Sequence, residues 1–418
     1  MRHPGIARQR GAATLISAVV MLVLMTLVAF FANRDVLHER RAATNQYRSI
    51  RAIEAAEAGV EWAIANLNST RGVTNACATS TRAPDPSLRE RYLGPERSAG
   101  RAEAFAAATP LCSFVGGAWS CSCPDNGADP VAAACGAPEG CPTFRIGFEN
   151  LAGDPTLVRV SAIGCTGVQA PCVPGAASAA DGTATITQAL RLVDGLATLP
   201  VAALTAGGDV DLGTGAISAT NTDPRSGGIT IHTGGRIKGL VDRDAIVSLP
   251  GTPSGASLVD GDASLGSLSP DQMFMSFFGM TRAQFRALPS TTAVQCAGAC
   301  DAAVSAAIGA GARVLWVEGD MRLDAEGVYG SPQRPVVLVV NGNARLQGAI
   351  TIHGLIYFRN GTWGSTGGAT VRLHGAVIAE NDFTAIGAPR ATYDAAVLHE
   401  LRRASGRFAR VPGGWRDF

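Results

Sequence analysis

The sequence predicts an α+β protein: one long N-terminal helix, then a head built mostly of β-strands. Three observations carry this. No proline or glycine interrupts the chain from Ala12 to Ala58, so nothing breaks a helix there. Glycine is abundant afterwards, 50 residues in 418, while charged residues are only 17%, a composition of tight turns rather than of a solvated helical bundle. Finally, short apolar runs recur between glycines in the second half, with a spacing near 22 residues.

The helix opens as a segment fit for lipid. Ala12 to Ala32 contains only Thr14, Ser17 and Thr26 as polar members, and its 21 residues reach about 32 Å at roughly 1.5 Å each, enough for a bilayer core. Arg2, Arg8 and Arg10 precede it without an acidic residue, which places the N-terminus in the cytoplasm and the head in the periplasm. A secretory signal would close its apolar core with small residues in an A-x-A pattern. Here the end reads "VAFFANRD", and the glycine, Gly11, stands before the core instead. Beyond it, Ala43, Tyr47, Ile50, Ile53, Ala56, Val60, Ile64 and Leu67 recur every three or four residues, a one-sided apolar stripe. One helix therefore spans 12–67, of which 12–32 crosses the membrane, and "NSTRG" ends it with turn-forming residues.

A basic leader, Gly11, the core "AATLISAVVMLVLMTL" and the run "RSIRAIEAAEAGVEWAIANL" together resemble the type IV pilin class, and within it minor pilins of the PilX kind. The resemblance covers about the first 67 residues. It implies that residues 1–11 are a leader removed by a prepilin peptidase after Gly11, that Ala12 becomes the methylated mature N-terminus, and that the helix passes from lipid into a filament. The implied partners are other minor pilins, the major pilin, the prepilin peptidase, the inner-membrane assembly platform, a tip adhesin and, before assembly, membrane lipid. Major pilins of the family carry a glutamate at mature position five. Ile16 or Ser17 stands there in this chain, which points to a minor pilin at the tip or in the initiation complex, present first in the inner membrane and then in the extracellular pilus. Glu54 and Glu57 read as a solvated or filament-lining face of the helix.

Residues 68–198 read as cysteine-rich loops followed by a pilin-like sheet. "TFRIGFE", "TLVRVSAIGC" and "TATITQALRLV" are strand-like and separated by turn residues. The ten cysteines, Cys77, Cys112, Cys121, Cys123, Cys135, Cys141, Cys165, Cys172, Cys296 and Cys300, all follow the apolar segment and contain no C-x2-C pair. Disulfides in an oxidising compartment fit better than a zinc ribbon, with connectivity left open.

Residues 199–392 read as a right-handed parallel β-helix or similar solenoid. "GGDVDLG", "EGDMRLD" and "NGNARLQG" share G-[DN]-x-x-L, and "IHGLIYF" and "LHGAVIA" share HG before an apolar run. Gly319 to Gly342 is 23 residues and His353 to His374 is 21. A helical insert at 269–289, with Met273, Phe274, Phe277, Phe278 and Phe285, covers the solenoid's flank or end. The remainder, 393–418, reads as an amphipathic helix and a tail.

Little in the chain suggests chemistry. No H-E-x-x-H, G-x-S-x-G or P-loop order occurs, and no cofactor is implied. Two D-x-D pairs, Asp209 with Asp211 and Asp260 with Asp262, are weak calcium candidates, with turn-forming side chains the alternative. His353 and His374 read as equivalent corners of a repeat rather than as metal ligands. All but one of the 35 basic residues are arginine, and the net charge of +1 argues against a nucleic-acid partner. The expected function is non-enzymatic, a minor pilin in pilus assembly with a large extracytoplasmic head for partner or surface contact. The alternatives are a membrane-tethered β-helix enzyme acting on polysaccharide and a type II secretion pseudopilin of the GspK kind.

Overall fold

The computed structural model describes residues 11–417 apart from 81–84, 94–108, 125–129, 132, 134, 137–139, 152–153, 155, 167–171, 173–181, 214–216, 240–243 and 365–369. The leader at 1–10 and much of the cysteine-rich segment lie outside the described residues. Helix α1 (Gly11–Leu67) is one unbroken helix of 57 residues, about 86 Å long. A short helix α2 (Leu88–Leu93) follows.

An antiparallel sheet packs against the second half of α1. Its strands are β1 (Leu111–Val115), β2 (Ala118–Ser122), β3 (Thr143–Asn150), β4 (Leu157–Cys165) and β5 (Thr183–Val193). The sequence reading found β3, β4 and β5 but took 111–122 for loop. The missed signal was the Gly116-Gly117 pair, both at positive φ, between two short apolar segments, a two-residue hairpin turn.

The chain then builds β6 (Leu204–Ala206), β7 (Val210–Asp211), β8 (Ser218–Thr220), β9 (Ile231–Thr233), β10 (Ile237–Lys238), β11 (Ile246–Val247) and β12 (Leu258–Val259). Three helices follow, α3 (Ala263–Gly266), α4 (Pro270–Phe278) and α5 (Arg282–Arg286). After them come β13 (Thr291–Val294), α6 (Asp301–Gly309), β14 (Val314–Val317), β15 (Met321–Leu323), β16 (Gly327–Tyr329) and β17 (Val336–Val340). The series ends with β18 (Ala344–Gln347), β19 (Ile350–Phe358), β20 (Gly361–Gly364), β21 (Arg372–Ala379), β22 (Phe383–Ile386) and β23 (Arg390–Tyr393). Every pairing among β6–β23 is parallel, and the pairs form three faces. One runs β13-β14-β17-β19-β21-β6-β9-β12. The second runs β15-β18-β20-β22-β7-β10, and the third β16-β19-β21-β23-β8-β11. Valine, leucine and isoleucine fill the bore together with Trp363, Phe358 and Phe383.

The order of stacking differs from the order of the chain. Residues 204–259 form the far rungs. The chain then returns along the outside through α3–α5, begins again at β13, and winds back until β21, β22 and β23 meet β6, β7 and β8. The returning helices therefore cover a flank. Met273, Phe274, Phe277, Phe278 and Phe285 are all buried there against Trp316, Val339 and Tyr357 of the first face. Ser269 and Thr281 start α4 and α5 with full capping boxes. Arg282 lies between the rings of Phe274 and Tyr357 and pairs with the buried carboxylate of Glu380, fastening α5 to the solenoid.

The G-[DN] repeat explains the register. Asp320 Oδ1 accepts from the amide of Asn343 at 2.7 Å, and Asn343 Oδ1 from the Asn360 side-chain amide at 2.9 Å. Asn360 Oδ1 accepts from the Asp382 amide at 3.3 Å, Asp382 Oδ1 from the Asp209 amide at 2.7 Å, and Asp209 Oδ1 from the Arg236 amide at 2.8 Å. Four of these five steps satisfy backbone donors at one corner of the stack, and the ladder crosses the junction where the two solenoid segments meet. The HG repeat marks another corner. A Cβ on Gly354 would overlap the Val336 carbonyl oxygen, and one on Gly375 (φ +140°) would overlap that of Gly354, so only glycine lets the rungs stack so closely.

Helix α7 (Ala395–Ala404), N-capped by Asp394, buries Val397, Leu398 and Leu401. The predicted tail is not a tail. Residues 407–416 form β24 (Arg407–Arg416), which pairs antiparallel with β5 and completes the six-stranded sheet β2-β1-β3-β4-β5-β24. The solenoid is thus an insertion between two neighbouring strands of the head sheet.

Candidate functional site

The most distinctive surface is α1. Its first half is apolar on all sides. The window Thr14–Phe31 has mean hydropathy 2.6 and none of it is buried. Ser17 and Thr26 return their hydroxyls to the carbonyls of Thr14 and Val23, at 3.0 and 2.9 Å, so the polar side chains of the core are satisfied inside the helix, as lipid requires. Exposed leucine, isoleucine, valine and phenylalanine of this kind each gain roughly 0.3–0.6 kcal/mol at the centre of a bilayer. Ile16 and Ser17 place no carboxylate in the segment.

The second half has two faces. Ala52, Ala55, Ala56, Val60, Ala63 and Leu67 are buried against the sheet, beside Phe144, Ile146, Val160, Ala162, Ile186 and Leu190. Small residues set the separation. A Cβ on Gly164 of β4 would overlap the Ala52 carbonyl oxygen and lie 2.5 Å from the Ala56 nitrogen, and one on Gly59 would lie 2.9 Å from Ile146 Cδ1. The "EAAEAG" run thus has a packing role: Ala55, Ala56 and Gly59 face the sheet, while Glu54 and Glu57 are exposed, as read from sequence. The predicted apolar stripe needs correction. Tyr47, Ile50 and Ile53 belong to an exposed face, at 58, 48 and 40%, because the sheet chose the small-residue side, where backbones approach closest. The chain leaves α1 firmly tied. Asn68 donates to the Phe408 carbonyl at 3.0 Å and accepts from the Phe408 amide at 2.7 Å, and Glu61 pairs with Arg410. Both contacts bind the helix to β24.

The remaining predicted residues fall as follows. Gly11 and Ala12 begin α1, and the side-chain surroundings of Ala12 lie outside the described residues. The ten cysteines form five bonds: Cys77–Cys123, Cys112–Cys121, Cys135–Cys141, Cys165–Cys172 and Cys296–Cys300. Asp209 pairs with Lys238 and caps the Arg236 amide, and the lysine hydrogen bond above all holds its carboxyl below the usual range. Asp211 accepts from the Gly213 amide at 2.9 Å. Asp262 accepts from Ser264 and from His232 Nε2 at 2.7 Å, and these bonds, the serine's first, hold its carboxyl at about 2. Asp260 is exposed. Among the described residues no group of three or more His, Cys, Asp or Glu is placed to hold a metal ion. The carboxylates of Asp209, Asp211 and Asp262 act as turn and ladder acceptors. His353 and His374 stand in register on adjacent rungs, rings stacked at 4.8 Å, as equivalent corners do.

Residues 10–61 match the family model of the PilX N-terminal domain. No curated protein matches the chain. Among solved structures, the competence-associated pilin ComZ from Thermus thermophilus is similar at 14% identity, with 89% of this chain and 97% of that one covered. The TM-score is 0.23, too low to carry an argument about the head. The match covers residues on which the resemblance rested: Gly11, the apolar core and the "EAAEAG" run.

Proposed function

We propose, from the PilX N-terminal domain at 10–61, that this chain is a minor type IV pilin acting in pilus assembly, at the tip or in the initiation complex. The coarse role as a type IV pilin rests on that match. A single observation carries the finer reading: the same helix is wholly uncovered over Thr14–Phe31 and firmly packed from Ala52 to Leu67. Such a helix has a finished half and an unfinished half. Lipid completes the unfinished half first, and neighbouring pilin helices complete it in the filament, where Ala12, Ala13 and Ala18 permit close approach. The exposed Tyr47, Ile50 and Ile53 extend that docking face out of the membrane.

Two further features favour the tip. The segment brings no carboxylate at Ile16 or Ser17 to meet a neighbour's amine, and the head carries a large inserted solenoid unlike a compact repeating subunit. The head faces the periplasm and then the exterior, Gly11 is the cleavage position, Ala12 is the methylated terminus, and the role is structural rather than catalytic.

The deciding experiment is mass spectrometry of the protein from its native membrane. The expected result is a methylated N-terminus at Ala12, with a Gly11→Val variant retaining the leader. An N-terminus after Ala32, or an intact Met1 in wild type, overturns the reading.

A further inference from the structure

Between the head sheet and the base of the solenoid lies a cleft of about 550 Å³. Its floor is apolar, formed by Leu67, Val158, Leu192 and Phe408. Its rim gathers charge from three elements. Helix α2 supplies Arg89 and Glu90, the solenoid supplies Arg313, and α7 supplies Glu400 and Arg403. Three guanidinium groups thus meet two carboxylates, and a fourth, Arg334, stands outside the cleft beside Glu90.

The carboxylates are poorly placed to neutralise them. Glu90 Oε2 already accepts from the Ser87 amide at 2.8 Å and the Ser87 hydroxyl at 2.9 Å. It lies 3.5 Å from Arg334, its other oxygen lies 3.6 Å from Arg313, and Glu400 lies 3.3 Å from Arg313. These are loose separations for charge-assisted bonds, which close to about 2.7–2.9 Å. Arg313 is nevertheless only 8% exposed; it also donates to the Pro335 carbonyl at 3.4 Å, so all its contacts are long, and a buried charge held this loosely is costly. Arg89 is fixed by the carbonyls of Arg403 and Gly406, at 2.7 and 3.1 Å, and lies over the Phe408 ring. Its pKa is lowered to about 10, by burial first and then by the charge of Arg313, with Glu400 and Glu90 opposing. The cleft therefore holds an excess of positive charge in a partly dehydrated setting.

We propose that this cleft binds an oxyanion, a phosphate or carboxylate group, with Arg313 and Arg403 as the contacting residues and Arg89 as a fixed positive wall. The apolar floor suits a ligand with a carbon body, such as an acidic sugar or a phosphoester. Glu90 and Glu400, which pair loosely with Arg313, compete with the ligand and keep the affinity moderate.

The test is thermal unfolding and calorimetry of the full-length protein in neutral detergent, titrated with inorganic phosphate, with glucuronate and with chloride at matched ionic strength. A saturable rise in melting temperature with phosphate or glucuronate, absent with chloride, is expected; the two arms separate a phosphate from a carboxylate ligand. Arg403→Gln, at an exposed position, should keep the fold and weaken binding about tenfold, the loss of one charge-assisted contact. Arg313→Lys tests the buried position with the charge retained. Equal shifts in all three salts, no shift, or unchanged binding in Arg403→Gln overturns the proposal and leaves the cluster a latch between the two parts of the head.

Discussion

The Asp382 carboxylate accepts a hydrogen bond from the amide of Asp209, 2.7 Å away in space and 173 residues away in the chain. The first step of the same ladder, Asp320 to the Asn343 amide, is equally short but spans only 23 residues. The Asp382 bond closes the junction between the two solenoid segments and the Asp320 bond lies inside one segment. Asp382→Ala should cost about 1 kcal/mol, the net worth of one such bond at an exposed site, and speed hydrogen exchange at 204–211. Asp320→Ala should cost a similar amount and leave exchange at 204–211 unchanged. Equal exchange there in both variants would show that the junction is held by other contacts.

The seat of α1 on the sheet depends on missing side chains. Gly164→Ala forces a methyl group into the Ala52 carbonyl and should destabilise the helix–sheet unit by about 3 kcal/mol. Gly309→Ala, where an added Cβ meets nothing within 4 Å, serves as the control and should change little. Chemical denaturation of the two variants decides it.

Loop length ranks the disulfides. Cys77–Cys123 closes 46 residues and Cys296–Cys300 closes 4. Constraint of the unfolded chain contributes about 4 kcal/mol in the first case and about 2 in the second. Replacing each pair by serine should reproduce that order in melting temperature, and a reversal would mean that native packing at 296–300 outweighs chain entropy.

Two groups give the head a pH response. Asp262 is held at about 2 in the fold against 3.8 without it, first by the Ser264 hydroxyl and then by His232. Folding favours the carboxylate, so its contribution is complete above pH 3.8 and fades as pH falls toward 2. Asp262→Asn should flatten the stability curve over that window. His353 is shifted down from 6.5, by burial first and the stacked His374 second, with Asp394 opposing. Folding favours the neutral ring, so stability is full above pH 6.5 and declines below it. His374→Asn should weaken that decline, and a histidine proton titration by NMR measures it directly.

Because β24 pairs with β5, with Arg407 opposite Val193, the inserted residues begin and end side by side. Replacing 194–406 by an Asn-Gly turn should leave a folded helix–sheet unit retaining the four disulfides at 77–172. Aggregation, or loss of those bonds by mass spectrometry, would show that the sheet needs the solenoid.

Much of this was legible beforehand. The apolar helix, the strands β3–β5, the flank helices with their buried phenylalanines and the parallel stacking all follow from period and turn chemistry, which are local signals. What escaped was non-local. Nothing in "RFARVPGGWR" says that it returns to β5 across the whole insertion, since a strand's partner is not written in its own residues. The rung order escaped for the same reason: a repeat fixes which residues are equivalent but not which end of the stack they occupy. On α1 the periodicity gave a single apolar stripe, which joined Tyr47, Ile50 and Ile53 of the exposed face to Ala56, Val60 and Leu67 of the buried one and passed over Ala52 and Ala55. Close backbone approach, not side-chain size, decided the buried face.

The position of the insertion also decides how the molecule carries force. Gly195 donates to the Arg402 carbonyl at 3.1 Å, so the solenoid leaves and rejoins the sheet at a single place. If the proposed filament role holds, pull along α1 enters the sheet through Asn68 and Phe408, and the solenoid, joined to that sheet by its two adjacent ends, hangs beside the chain path that carries the load.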